Sequence, residues 1–225
     1  MSLSDIPHRI ARPLYSFAET DRLAGVSRGT SRRWLKGYAY KASDGLIVQR
    51  PPITTGIERE GAASFIDLIE VVAIGGLKKL GLTLSEIRKI VTECQADLGY
   101  PRPLTSLKFK TDGRDTFVSV GDHLLGLRRR RGQRAWDEVL EPFLQELDYR
   151  DAYASRWWPL GRDKPIVIDP DYGFGLPVVS KSGVRTEIIL ERSEAGDSPD
   201  QIADDFNLDV ADVEEALRYE KTRAA

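Results

Sequence analysis

The strongest fold signal in this sequence is the run Tyr15-Ser16-Phe17-Ala18-Glu19-Thr20-Asp21-Arg22-Leu23-Ala24-Gly25-Val26-Ser27-Arg28-Gly29-Thr30-Ser31-Arg32-Arg33-Trp34-Leu35-Lys36-Gly37. Ser16 and Glu19 have the spacing of a capping box, which predicts a short helix that Gly25 ends. Ser27 is placed to cap a second helix, from Arg28 to Lys36, which ends at Gly37. Two short helices around a glycine turn predict a helix-turn-helix.

The composition of the second helix suits DNA. Its first half carries short polar and long cationic side chains, which can reach base edges and phosphates: Arg28, Thr30, Ser31 and Arg32. Trp34 and Leu35 are expected to face the core. The alternative is a helix pair used for protein contact, with the arginines only solvating its surface.

Charge is sorted along the chain, although the formal net charge of the 225 residues is only −2. Residues 1–50 contain nine Lys or Arg and four Asp or Glu, a net charge of +5. Residues 187–220 contain twelve carboxylates and two arginines, a net charge of −10. The sorting predicts one surface for polyanions and another that repels them, and it favours DNA binding by the first segment.

A wing is expected after the second helix. Leu46 to Arg50 is predicted to form a strand that follows an Asp44-Gly45 turn, and Pro51-Pro52 closes it. Helices are then predicted from Phe65 and from Glu86 to Cys94.

The segment from about residue 13 to residue 98 resembles the winged-helix DNA-binding domain of MerR-type regulators. The resemblance rests on Tyr15 to Glu19, Leu23 to Ser27, Thr30, Arg32 and Leu80 to Ile87. It implies base or phosphate contacts from the second helix and backbone contacts from Tyr15 and the wing. The predicted DNA-binding residues are Tyr15, Ser27, Arg28, Thr30, Arg32, Arg33, Lys36, Lys41 and Arg50. Gly29 departs from a good recognition helix, which it would weaken by about 1 kcal/mol relative to alanine.

In the middle segment, Leu107 to Lys110 and Thr116 to Val120 flank Asp112-Gly113-Arg114, a pattern that predicts a β hairpin. The basic run Arg128 to Arg131 could bind phosphates, or the acidic surface of a partner, or simply form a solvated loop. A helix is expected from about Trp136 to Tyr149, with its start left open because of Pro142.

The third segment is predicted to form a short strand, Pro165 to Pro170, followed by three helices: Thr186 to Ala195, Asp200 to Phe206 and Val210 to Tyr219. Its order of Pro177-Val178-Val179, Arg185-Thr186 and Gly196-Asp197-Ser198-Pro199 resembles a small domain common in VapB-type antitoxins, over residues 164–220.

That resemblance implies an antitoxin that binds a PIN-domain (VapC-type) ribonuclease toxin and represses its own operon. Because the third segment is acidic, we expect it to make dimer or toxin contacts rather than DNA contacts. Arg218 and Arg223 are the candidates for reaching the nuclease. A homodimer is expected, because paired operator half-sites mirror two-fold symmetry.

The second hypothesis is a MerR-like transcription regulator that responds to a small molecule. Trp157, Trp158, Tyr172 and Phe174 could line its pocket, although Trp157-Trp158-Pro159 is explained more simply by interdomain packing.

Other classes are disfavoured. The single cysteine, Cys94, is expected to be buried, and with only two histidines, His8 and His123, a metal site is not expected. We find no catalytic constellation and no cofactor motif, so no catalytic residues and no enzyme are predicted. The sequence contains no membrane-spanning run and no secretory signal, which predicts a cytoplasmic protein.

The sequence thus predicts a mainly α fold with short β hairpins, in three parts. Residues 1–98 form a winged helix-turn-helix domain, residues 99–160 a connecting hairpin and helix, and residues 161–225 a small helical domain that is itself helix-turn-helix-like.

Overall fold

The computed structural model of the protein describes residues 2–54, 61–125 and 129–224, apart from the side chains of residues 120–131 and 224. The chain forms two compact units. The N-terminal unit comprises Met1–Gln145 and Tyr149–Ala154, and the C-terminal unit comprises Glu146–Asp148 and Ser155–Ala225. Most of the predicted middle segment therefore lies in the N-terminal unit, and the division falls within a β hairpin.

The N-terminal unit is mainly helical. Its helices are α1 (His8–Ala11), α2 (Phe17–Leu23), α3 (Thr30–Lys36), α4 (Phe65–Lys79), α5 (Leu84–Leu98), α6 (Leu107–Leu125), α7 (Arg129–Ala135) and α8 (Glu141–Gln145). Its strands are β1 (Pro13–Ser16), β2 (Tyr38–Lys41), β3 (Ile47–Arg50) and β4 (Ala62–Ser64), which pair antiparallel as β1 with β4 and β2 with β3.

Helix α4 is the centre of the N-terminal core. Ser64 and Asp67 form a capping box at its start, and its residues are buried around most of its circumference. The guanidinium of Arg102, fully buried, forms ion pairs with Asp67 and, at 2.8 Å, with Glu70. Burial raises the pKa of Glu70 to about 7, although Arg102 opposes the shift. A buried cation between two carboxylates thus fixes the segment before α6 against α4.

The predicted hairpin at residues 107–120 is wrong, because this segment forms the single helix α6. Phe109 and Phe117 are both fully buried and lie eight positions apart, so they occupy one helix face. Their rings pack on Trp136 with centroids 5.2 and 5.8 Å apart. A Cβ at Gly113 would lie 2.6 Å from the ring of Phe109. The glycine that suggested a turn therefore makes room for an aromatic ring.

The helix predicted from Trp136 to Tyr149 is shorter than expected. A π-helical turn spans Trp136–Leu140, α8 follows it, and the chain is already extended from Leu147. The helix runs without a break from Arg129 to Gln145, and Pro142 lies two residues after the π-helical turn, where the regular i to i−4 hydrogen bonds are already interrupted and the missing N–H is tolerated. In the predicted basic run, Arg128 lies outside the described residues, as do the side chains of the three arginines after it.

A four-stranded antiparallel sheet has the order β5-β6-β7-β8, formed by Leu147–Arg150, Tyr153–Trp157, Ile166–Ile168 and Pro177–Val179. Helices α9 (Thr186–Glu194), α10 (Pro199–Phe206) and α11 (Val210–Ala224) follow, which confirms the three predicted helices. Ser198 caps α10, and Asn207 in a left-handed conformation turns the chain toward α11. The core of the C-terminal unit includes Ile166, Val179 and Ile189. In the described part of the chain, no helix has the length and apolar character needed to cross a bilayer.

Candidate nucleic-acid interface

One buried carboxylate, that of Asp21, connects the two helices of the predicted motif. Ser16 caps α2 by accepting a hydrogen bond from the Glu19 N–H at 3.1 Å, as predicted. Asp21, on α2 and 3% exposed, accepts hydrogen bonds from the N–H groups of Gly29 at 2.6 Å and Ser31 at 2.7 Å. Asp21 therefore satisfies the backbone donors at the start of α3, which a helix cannot satisfy by itself.

The expected start of the second helix needs a correction. Helix α3 begins at Thr30 rather than Arg28, and Ser27 is not its cap. Gly29 precedes the helix with a φ of 79°, a left-handed conformation that favours glycine. Gly29 therefore does not weaken the helix interior. It gives the turn the shape that brings two amides to Asp21.

Exposed cations line α3 and the turn before it. We call Arg28, Arg32, Arg33 and Lys36 the cationic row; all four are exposed, whereas Trp34 and Leu35 are buried as predicted. Two contacts restrain the row: the Arg33 Nε donates to the Gly29 carbonyl at 3.2 Å, and the Lys36 Nζ lies 5.6 Å from the centroid of the Phe17 ring. Arg32 and Lys36 are one helical turn apart, so they present charge along one side of α3.

The wing forms as the sequence predicts. Strands β2 and β3 pair from Tyr38 opposite Arg50 to Lys41 opposite Ile47. Gly37 has a φ of 73°, and a Cβ there would overlap the carbonyl oxygen of Arg50, so only glycine lets the wing fold back beside α3. The side chains of Lys41 and Arg50 are exposed, and the Arg50 guanidinium donates to the Tyr40 hydroxyl at 3.3 Å. The wing thus adds two cations to the same unit.

Two predicted contact residues lie elsewhere. Tyr15 is fully buried and Thr30 is 8% exposed, so both belong to the packing of the domain and are left out of the proposed surface. Ser27 is exposed beside Arg28.

Sequence reasoning missed the role of Asp21, whose hydrogen-bond partners are eight and ten residues away and leave no local pattern. It also missed Arg88, which donates to the carbonyls of Pro51 and Pro52 and holds the end of the wing.

The two candidate partner-binding arginines differ in their surroundings. The Arg218 side chain is 62% exposed and donates to Glu215. The Arg223 side chain is 10% exposed; its guanidinium lies 4.8 Å from the centroid of the Tyr219 ring and donates to the Tyr219 hydroxyl. Arg223 therefore packs against its own helix, whereas Arg218 lies at the surface.

Two family models match the chain. Residues 13–91 match a family described as "Putative DNA-binding HTH domain", and residues 166–219 match "Protein of unknown function (DUF433)". The first match contains α2, α3 and the wing. The second coincides with the sheet end and the three helices of the C-terminal unit.

Similar proteins come from Mycobacterium tuberculosis. The chain is 27% identical over 222 residues to "Putative antitoxin VapB45"; the alignment covers 91% of this chain and 92% of that protein. It is 25% identical over 230 residues to "Uncharacterized protein Rv2308"; this alignment covers 93% of this chain and 91% of that protein. The crystal structure of Rv2018 superposes with a TM-score of 0.74 at 25% identity, and covers 92% of this chain and 98% of that one.

The alignments to the proteins of Mycobacterium tuberculosis extend over nearly the whole chain, whereas the family described as DNA-binding matches residues 13–91. Residues 13–91 thus match a family described as "Putative DNA-binding HTH domain", and 91% of the chain aligns with a protein named "Putative antitoxin VapB45".

Proposed function

We propose that this protein is the antitoxin of a toxin–antitoxin pair. Its N-terminal unit binds the operator of its own operon, and its C-terminal unit binds and silences a PIN-domain, VapC-type ribonuclease. The protein acts in the cytoplasm as a homodimer whose two helix-turn-helix motifs read paired half-sites. The observation that carries the proposal is the alignment to VapB45 over 91% of the chain, together with a cationic row held on α3.

The proposed DNA binding rests on how the fold positions the cationic side chains. Asp21 fixes the start of α3, so the backbone that carries the cationic row loses little freedom when the row meets phosphates. Lys41 and Arg50 extend the positive charge along the wing. Neutralised phosphates release counterions, so affinity must fall with rising salt.

We predict that Arg28→Ala with Arg32→Ala weakens operator binding and flattens its salt dependence. Each lost phosphate contact should reduce the slope of log K against log salt concentration by about 0.9, so the double variant should lose about 2. The measurement is fluorescence anisotropy with the protein's own promoter at several salt concentrations. The matched control is Arg150→Ala, because Arg150 is an exposed arginine whose ion pair with Asp151 is also exposed. Unchanged binding by the double variant would move the DNA site away from α3.

The toxin half is tested by co-expression with the product of the neighbouring gene. We expect a stable complex in which RNA cleavage is suppressed and returns when the complex is dissociated. If no nuclease binds, the antitoxin assignment is wrong and only DNA binding remains.

The second candidate function is a transcription regulator that responds to a small molecule. It is favoured by a cavity of about 370 Å³ in the C-terminal unit, partly lined by Trp158 and Tyr172. A ligand that co-purifies with the chain and changes its operator affinity would favour this function over the antitoxin.

A further inference from the structure

The tip of the wing, between β2 and β3, carries two neighbouring apolar side chains that the fold leaves in solvent. Leu46 and Ile47 are 66% and 73% exposed, more than any other large apolar side chain of the N-terminal unit in the described part of the chain. All residues of β2 and β3 except Val48 are exposed as well, so the hairpin contributes little to the core. The two side chains therefore form a small apolar patch that packing within the unit does not use.

The tip has a fixed shape with two apolar sides. The Ala42 N–H donates to the Leu46 carbonyl at 2.8 Å, which continues the β ladder by one more pair, and the Gly45 N–H donates to the Ala42 carbonyl at 2.9 Å. The Asp44 carboxylate accepts a hydrogen bond from the Leu46 N–H at 3.0 Å. Because neighbouring residues of an extended strand point to opposite faces, Leu46 and Ile47 place apolar groups on both sides of the tip. Such a tip suits a narrow site with two walls better than one flat surface.

The charge around the tip is positive, and carboxylates of the chain do not neutralise it. Residues 30–50 contain five Lys or Arg and one Asp, a net charge of +4. Within the described ranges, neither Lys41 nor Arg50 nor any member of the cationic row forms an ion pair. Lys41 lies directly opposite Ile47 in the β ladder, so an ammonium group and an apolar side chain share one face of the wing. Charge complementarity therefore favours a polyanion as the occupant of this surface.

We propose that the wing tip inserts Leu46 and Ile47 into the minor groove of the operator, where they separate a base step and bend the DNA. Aliphatic side chains that enter the minor groove act in this way in other DNA-bending proteins, and flexible pyrimidine–purine steps are the least costly to open. The end of the wing is anchored beside α3, because the Ile53 N–H donates to the Trp34 carbonyl at 2.8 Å. The tip and the cationic row can therefore contact one duplex together. The inference rests on the proposed function, because the DNA that it needs is the operator.

The decisive variant is Leu46→Ser with Ile47→Thr in the full-length chain. It removes the apolar groups, keeps a β-branched residue in β3 and leaves every cation in place. Affinity for the protein's own promoter should fall by about 10- to 100-fold. The slope of log K against log salt concentration should stay the same, because no phosphate contact is lost. Energy transfer between dyes at the two ends of the promoter fragment should show a bend of at least about 20° with wild-type protein and none with the double variant.

Two control variants separate the apolar contact from other effects. Leu107→Ala removes another exposed apolar side chain of the same unit and should change neither affinity nor bend. Lys41→Gln should give the opposite pattern to the double variant: the salt slope falls by about 0.9, whereas the bend remains. The midpoint of thermal unfolding should be unchanged in the double variant, because both side chains are exposed.

The remaining outcomes each overturn the inference in a distinct way. A wild-type complex without a bend, or a double variant with wild-type affinity and bend, would overturn it and leave operator binding standing. A flatter salt slope in the double variant would show that the tip only positions cations. A lower unfolding midpoint would make the two side chains structural, and a lower mass of the free double variant in light scattering would assign the tip to contact with a second copy. If the wild-type chain does not bind the promoter, the proposed operator binding and this inference fail together.

Discussion

The structure makes Asp21 the residue on which the geometry of the helix-turn-helix depends. Its carboxylate accepts two short hydrogen bonds, at 2.6 and 2.7 Å, from amides at the start of α3, and Ser31 at that site is fully buried. Hydrogen bonds to a charged acceptor contribute about 1.5–3 kcal/mol each, and Asp21→Ala would leave both donors without this partner. We therefore expect Asp21→Ala to destabilise the N-terminal unit by about 3–4 kcal/mol.

Urea unfolding followed by circular dichroism measures that loss, and hydrogen exchange at the Gly29 and Ser31 amides locates it. Both amides should exchange faster in Asp21→Ala, and DNA affinity should fall although Asp21 is buried and does not reach DNA. The control is Asp44→Ala, since Asp44 accepts a similar bond from the Leu46 N–H at 3.0 Å in an exposed turn. It should cost about 0.5 kcal/mol or less. A loss below about 1 kcal/mol in Asp21→Ala, with unchanged amide exchange, would refute the reasoning.

Two further predictions concern the core of the N-terminal unit. Since burial raises the folded-state pKa of Glu70 to about 7 from an ordinary value of 4.5, this group's contribution to stability is present below pH 4.5 and is lost as the pH rises to about 7. Glu70→Gln should lack that dependence. Between pH 5 and pH 8, urea unfolding should show the free energy of unfolding of the variant rising, relative to that of the wild type, by on the order of 3 kcal/mol. Parallel pH profiles of the two proteins would contradict the assignment. Gly113→Ala should destabilise the protein by about 1–3 kcal/mol, because its Cβ would press on the ring of Phe109, and thermal unfolding checks this. A stabilised Gly113→Ala, as helix propensity alone would favour, would mean that the ring moves aside freely.

Local signals predicted the parts of the fold that local chemistry specifies. The cap at Ser16 and the wing strands were both visible in the sequence, because each joins residues no more than 12 positions apart in the chain. The same holds for the exposed members of the cationic row.

Tertiary packing decided the rest. Gly113 between two short apolar runs looks like a hairpin turn, yet Phe109 and Phe117 are drawn to Trp136, and this requires a helix. Tyr15 carries a hydroxyl that suits phosphate contact, but the fold places it in the core. Arg102 sits between two prolines in a segment that looks like a loop, and nothing nearby indicates the buried carboxylates 32 and 35 residues earlier that pair with it. Long-range partners of this kind leave no periodicity to detect.

The chain contains the same local arrangement twice, with opposite charge. Helices α2 and α3, and helices α10 and α11, are two helix pairs, and each pair is joined by a turn with a left-handed residue, Gly25 in the first and Asn207 in the second. The first pair carries the cationic row, whereas the second exposes Asp200, Asp204 and Asp209. Phosphates would be attracted to the first pair and repelled by the second, so backbone geometry alone cannot assign DNA binding to either. The sign of the exposed charge favours the first pair for the proposed DNA contact, and it leaves the acidic unit available for the proposed protein partner.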